Sequence, residues 1–373
     1  MMSWFSRCTK KSPLAPFLQR GEQEGAHAVG VFAALAAILL LLGALPARAE
    51  PPELRFFNWS DYLPEELLER FTRETGIRVR YSTYDSNEAM YAKIKLLGGK
   101  GYDLIMPSTY FVDRMRKEGL LRPLDRAKLP GFRNLDPRLL NQAFDPGNVY
   151  SVPYLWGSTG LAVNAAKFNP AQLQSWADLW RPEFKRALLL PNDMREVFFV
   201  GLRTLGYSCN STDPAEVRAA SGKLRQLMPN VRLFNSDSAH VLYATGEVDA
   251  GVIWNGNAYR AQQDEPGLRY VYPKEGAMLW MDCLAIPKGA ENVENAHKFI
   301  DFLLRPEIAM AIATQLTYAS PNAEAVKLLS PELRDNPVVY PSDEEVRKGE
   351  YSIDIGAAVT LYADLWGKLK AGD

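Results

Sequence analysis

Cysteine and histidine are scarce in this 373-residue chain, with three of each. So few thiols exclude a disulfide framework, and so few imidazoles leave little for nucleophilic, acid-base or zinc chemistry. A basic excess is missing as well: 43 Lys and Arg stand against 44 Asp and Glu, with no dense Lys/Arg block. A phosphate-binding surface needs that excess to release counterions, so nucleic acid is excluded as a partner. No G-x-S-x-G elbow, P-loop, G-x-G-x-x-G turn or H-E-x-x-H helix occurs, and the Gly157–Gly160 string GSTG is not a nucleophile motif. What is present is 47% hydrophobic residues in a length suited to about two globular domains, which rules out disorder, collagen and coiled coil.

The N-terminus carries a basic start (Arg7, Lys10, Lys11), an apolar run and then Ala47-Arg48-Ala49, a small-x-small cleavage pattern. Residues 1–49 are read as a cleavable secretory signal in preference to an uncleaved anchor. Cleavage removes five basic and only two acidic residues, together with Cys8, and leaves a modestly acidic chain. The remaining Cys209 and Cys283 are too far apart in sequence to be assigned a disulfide. His240 and His297 lack neighbours at metal-ligand spacing and read as surface or capping residues, so neither a metal nor a cofactor is expected.

The mature chain alternates strand and helix. A strand at 54–58 precedes a helix through Thr75 that stops at Gly76, then come a strand at 77–82 and a second helix ending at Gly98-Gly99. A short strand at 102–106 leads to a helix through Glu118. The middle repeats the theme, with strands at 187–190 and 248–254, helices at 195–205 and 214–227, and a loop at Asn255-Gly256-Asn257. Alternation of this kind predicts α/β architecture, a parallel sheet flanked by helices. Two long apolar extended segments, 149–164 and 277–287, read as crossings between two halves, which makes both domains discontinuous and puts a cleft between them.

Open α/β sheets bind ligands beyond the carboxyl ends of their strands. The residues there are NWSDY (Asn58 to Tyr62), PSTY (Pro107 to Tyr110), NDMRE (Asn192 to Glu196), WNGN (Trp254 to Asn257) and LWMD (Leu279 to Asp282). Aromatic faces beside carboxylates suit an aliphatic ammonium, because a buried cation must be paired and its methylenes can stack on rings. Asp193, Glu196 and Asp282 would supply three negative charges. Asp193 also reads as the cap of the following helix, with Glu196 in its first turn. Asp282 stands in an apolar strand, where a carboxylate needs a partner. Paired carboxylates could serve a glycosidase, but nothing in the sequence fixes their separation, and an enzyme is disfavoured.

The segments FFNWSDYLPEELLERFTRETGIRVRYSTYDSNE, YDLIMPSTYFVDRMRKEGL, SWADLW, REVF, LMPNVRLFNSD, GVIWNGN, PKEGAMLWMD and FLLRPEIA occur in that order. Through them the whole mature chain resembles the bacterial periplasmic spermidine/putrescine-binding proteins. The resemblance implies the two-lobed solute-binding fold of type II, each lobe a sheet flanked by helices, closing over its ligand by hinge bending. It implies lobes at 50–158 with 281–326 and at 159–280 with 327–373, no enzymatic activity, a polyamine ligand, and an inner-membrane ABC permease as partner. Aromatic walls fall on Trp59, Tyr62, Tyr110, Trp254, Trp280 and Tyr318, acidic anchors on Asp193, Glu196 and Asp282, and small hydroxyls on Ser60 and Ser108. Tyr318 alone, taken without the resemblance, reads as core. Two positions depart from the spermidine-preferring pattern: Ser352 replaces a Gln, and Asp61 replaces a Glu, as in the putrescine-preferring branch. A putrescine-preferring receptor and a polyamine-sensing signalling subunit are the alternatives.

Overall fold

A computed structural model describes residues 51–236 and 238–372; the expected signal segment lies outside the described residues. The chain opens with strand β1 (Glu53–Trp59) and helix α1 (Glu65–Thr75), which buries Leu67 and Phe71, four residues apart on one face. Glu65 and Glu66 occupy its first turn and Gly76, at φ 72°, ends it in the left-handed conformation that glycine adopts without strain. Phe71 is wholly buried, which stabilises the fold by about 2 kcal/mol. Strand β2 (Arg78–Tyr84) follows, then helix α2 (Asn87–Leu96), whose Ser86 cap accepts from the Ala89 amide at 3.2 Å. The expected strand at 102–106 contracts to β3 (Leu104–Ile105) before helix α3 (Thr109–Lys117).

Strand β4 (Ser151–Asn164) is buried along its full length. Beyond it lie β5 (Leu188–Leu190), α4 (Met194–Thr204), α5 (Pro214–Leu227), β6 (Val231–Phe234) and β7 (Ala250–Trp254). The Asn255-Gly256-Asn257 segment, expected as a loop, instead begins helix α6 (Asn255–Asp264). Strands β8 (Leu268–Val271) and β9 (Met278–Ala285), helices α7 (Val293–Leu303) and α8 (Pro306–Leu316), the short β10 (Glu350–Tyr351) and helix α9 (Val359–Ala371) follow.

All ten strands join one sheet in the order β2-β1-β3-β9-β4-β7-β5-β6, with β10 on β9 and β8 on β4. The outer strands are parallel, β1 with β2 and β3 on one side and β5 with β6 and β7 on the other. The crossing strands β4 and β9 run antiparallel to each other, and each runs antiparallel to its outer neighbour. The sheet is therefore mixed: two parallel halves are sewn together by the two long apolar segments. A register shift between Pro153 and Leu155 interrupts the β4–β9 pairing and frees Tyr154, whose hydroxyl donates to the Tyr62 carbonyl at 2.8 Å.

Separate cores flank the crossing. One joins Leu54, Phe56 and Phe71 to Phe299 and Ile300; another joins Leu161, Trp176 and Phe198 to Tyr362 and Leu369. A third packs Phe57, Phe111 and Trp156 with Leu329, Leu333 and Val339. Cys209 and Cys283 are buried free thiols. Burial pushes the Cys209 thiol up to about 12, which leaves it un-ionised and unreactive. His297, expected as a surface or capping residue, is buried; its Nδ1 lies 2.9 Å from the Val293 carbonyl and its Nε2 accepts from the Asp125 amide at 3.0 Å, a bond from a distant segment that local sequence does not reveal. Among the described residues no helix is long and apolar enough to cross a membrane, and no metal-competent cluster of three or more His, Cys, Asp or Glu occurs.

Candidate binding site

Strand ends deliver most of the expected residues to one region. Asp282 on β9 is 8% exposed, and its carboxylate accepts from the Tyr62 hydroxyl at 2.7 Å and the Ser108 hydroxyl at 2.5 Å. These are the partners its apolar strand required. Ser108 sits just ahead of α3 and is fixed in turn by Asn87, whose Oδ1 accepts from the Ser108 amide at 3.1 Å and whose Nδ2 donates to the Ser108 hydroxyl at 3.0 Å. The same Nδ2 reaches the Tyr110 hydroxyl at 3.2 Å. Burial lifts the Asp282 carboxyl to about 6, while the two hydroxyl bonds favour its charged form and hold the rise down.

Helix α4 provides the other acids. Asp193 caps it as expected, its Oδ1 accepting from the Glu196 amide at 3.0 Å. Glu196 is buried, and both its donors fall on one oxygen, with Trp254 Nε1 at 2.9 Å and the Thr159 hydroxyl at 3.0 Å from Oε1. Its Oε2 is buried with no partner among the described residues. Burial, reinforced by the Asp193 charge, pushes the Glu196 carboxyl up to about 8. Burial also raises Asp193, against the backbone amides and the Arg195 charge that favour its ionised form. None of the three carboxylates forms an ion pair with Lys or Arg among the described residues; the pairs there engage other acids, such as Asp113 and Asp249.

Aromatic rings stand between these ends. Trp280 and Tyr318 meet edge to face at 5.1 Å and 83°, and Tyr318 meets Tyr62 at 6.2 Å and 62°. Burial raises the Tyr318 hydroxyl, the Arg260 charge opposes the rise, and the charges of Asp282 and Glu196, from the two acidic ends, both add to it. Tyr318 is half-buried, with one edge on the core and the other on these rings. Tyr110 lies 5.4 Å below the Arg195 guanidinium. Trp59 is anchored by its indole N–H to the Met106 carbonyl at 3.0 Å and tilts against Tyr84 at 4.8 Å.

Three expected positions are placed differently. Ser60 is exposed and donates to Asp85 at 3.1 Å, and Asp61 is exposed in a left-handed turn at φ 52°. Ser352 is buried; its carbonyl accepts from the Thr109 hydroxyl at 2.7 Å, while its own hydroxyl has no hydrogen-bond partner among the described residues. Conversely, sequence reasoning passed over Thr159, Asn87 and Tyr154. Asn87 follows the Ser86 cap and carries a signal as a polar residue at a strand-to-helix turn; Thr159 lies inside an apolar strand and carries none. The assembled groups can neutralise two or more separated positive charges and enclose apolar carbon between aromatic faces.

The description of the bacterial extracellular solute-binding protein family matches residues 66–341. The spermidine/putrescine-binding periplasmic protein of Escherichia coli K12 is 52% identical over 339 residues, which cover 91% of this chain and 97% of that one. The putrescine-binding periplasmic protein PotF of the same organism is 34% identical, covering 89% of this chain and 97% of its own length. Among solved structures, the spermidine/putrescine ABC transporter substrate-binding protein PotD of Streptococcus pneumoniae superimposes with a TM-score of 0.75 at 40% identity, covering 86% of this chain and 99% of its own. Neighbours of this kind are type II solute-binding proteins with helices flanking the sheet, and the described chain has that fold. The two curated relatives are named as periplasmic binding proteins, and the solved structure as a substrate-binding protein of an ABC transporter.

Proposed function

Because the chain belongs to the bacterial extracellular solute-binding family, we propose that it is the receptor of a polyamine ABC importer, binding spermidine, with putrescine as a second ligand, and delivering it to an inner-membrane permease. The observation that carries this reading is the set of three half-buried or buried carboxylates, Asp193, Glu196 and Asp282, none of which is ion-paired to a Lys or Arg among the described residues, beside Tyr62, Trp254, Trp280 and Tyr318. Closed acids of one sign need a cation from outside. A flexible amine with charges at both ends of an aliphatic chain supplies it, its methylenes lying on the rings. Asp282 takes one ammonium and the Asp193–Glu196 pair another, while Ser108 and Tyr62 hold Asp282 in place.

In this reading residues 1–49 are a cleaved export signal, and the ligand closes two lobes about β4 and β9, one built on 50–158 with 281–326 and the other on 159–280 with 327–373. Leu329, Leu333 and Val339 pack in one core with Phe57, Phe111 and the crossing-strand residues Trp156 and Met281. A signalling role finds no support in the relatives, which are named for binding and transport. Isothermal titration of polyamine-stripped mature protein with putrescine, spermidine and spermine tests the proposal. Saturable heat is expected with spermidine; absence of binding by all three would end it.

A further inference from the structure

Two glycines beside the aromatic wall are explained neither by backbone conformation nor by any contact a ligand would make. Gly157 on β4 pairs directly with Trp280 on β9. A Cβ built there would stand 2.4 Å from Trp280 Cζ2, 2.8 Å from Cη2 and 2.4 Å from Asn255 Oδ1. Gly256, in the first turn of α6, would place its Cβ 2.2 Å from Tyr318 Cε1 and 2.3 Å from Cδ1. Neither residue has a left-handed φ, whereas Gly76 does, at 72°, with nothing within 4 Å of its Cβ position. Gly76 serves the chain path. Gly157 and Gly256 make room, and what fills the room is the pair of rings that meet at 5.1 Å.

We propose that Gly157 and Gly256 are specificity-determining positions which set how far back the Trp280–Tyr318 wall stands, and so the girth of ligand the site accepts, without touching the ligand. The rear of the wall is closed. Asn255, behind Gly157, donates to the Val338 and Val339 carbonyls at 3.0 and 3.2 Å. Asn257 donates to the Tyr318 hydroxyl at 3.3 Å, and the Thr317 hydroxyl donates to the Gly256 carbonyl at 3.3 Å, docking the Tyr318 segment on α6. A methyl group at either glycine therefore displaces a ring of the wall, whose Tyr318 already meets Tyr62, the hydroxyl donor to Asp282. An unsubstituted methylene chain is the slimmest ligand such a slot can hold, and depth of the wall decides how much more fits.

The proposal rests on the polyamine reading, and the test separates the two. The affinities of wild-type protein, Gly157→Ala and Gly256→Ala for spermidine and for spermidine methylated on its secondary nitrogen, which keeps its charge and gains width, are compared by titration, with unfolding curves as the control for folding. Both alanine variants are expected to weaken spermidine, and to weaken the methylated ligand by about tenfold more, the discrimination one methyl group typically gives. Tyr318→Leu, which cuts the wall back, is expected to shift the ratio the opposite way. Wild-type protein that binds neither ligand overturns the polyamine reading and this proposal with it. Wild-type protein that binds spermidine, beside folded alanine variants with an unchanged ligand ratio, overturns this proposal alone. If neither alanine variant folds, Tyr318→Leu decides: a ratio moved toward the wider ligand supports the proposal and an unmoved ratio overturns it.

Discussion

At one end of the site a single carboxylate, Asp282, rises from a central strand between two hydroxyl donors; at the other, Asp193 caps α4 and Glu196 lies in its first turn, with one buried Glu196 oxygen unpartnered among the described residues. Both ends are acidic and withdrawn from water, yet their electrostatics differ. Asp282 has its donors already in place and is lifted only to about 6, so near neutral pH it is charged before any ligand arrives. Glu196 is lifted to about 8 by burial and by a neighbour of the same sign, so at pH 7 its protonated form is favoured and a bound cation shifts it toward the charged one. One end is prepared and the other is waiting: the first supplies a standing charge, the second couples binding to proton release.

The largest effect should come from breaking the prepared end. Asp282→Asn leaves Tyr62 and Ser108 intact but takes away the counter-charge of a buried ammonium, and spermidine affinity is expected to fall on the order of a hundredfold by calorimetry. Glu196→Gln removes a charge that is only partly present at pH 7, so the expected loss is smaller, about tenfold, and grows as pH rises. For Thr159→Val, which deletes one of the two donors to Glu196 Oε1, a weakening of about threefold is expected, with Trp254 keeping the carboxylate oriented. Ser60→Ala touches neither end, since Ser60 is exposed on Asp85, and should leave affinity within about twofold of wild type.

The same contrast sets a pH dependence. Burial raises the folded-state values of Glu196 and Asp282 above those of the unfolded chain, so folding favours their protonated forms. Their contribution to the stability of ligand-free protein is fully present below the ordinary carboxylate range. It is lost as pH rises, by about 6 for Asp282 and about 8 for Glu196. A bound polycation offsets that loss. Melting curves recorded from pH 4 to pH 8 should show the stabilisation by spermidine increasing with pH; a constant increment would mean that the ligand does not pair with these acids.

Much of the fold was legible because its signals are local. The Gly76 stop, the Asp193 cap and the apolar crossings are read from neighbouring residues, and the strand-end rule led directly to Trp59, Ser108, Asp193, Trp254 and Asp282. What escaped was decided by distant partners. Asn255-Gly256-Asn257 has the composition of a loop, but Gly256 is there to admit Tyr318 and the segment opens a helix. His297 looks solvent-facing until the Asp125 amide is brought to its ring. Thr159 passes for an ordinary strand residue until α4 presents Glu196 to it. Ser60, chosen with its neighbours, turns outward because the chain leaves β1 through the left-handed Asp61.

The difference between the prepared and the waiting end is tested most directly by counting protons. Spermidine binding at pH 7 is measured by calorimetry in buffers of different ionisation enthalpy, for wild-type protein and Glu196→Gln. The account predicts that wild-type protein releases more protons per ligand bound than the variant does. Equal proton counts for the two proteins would contradict it.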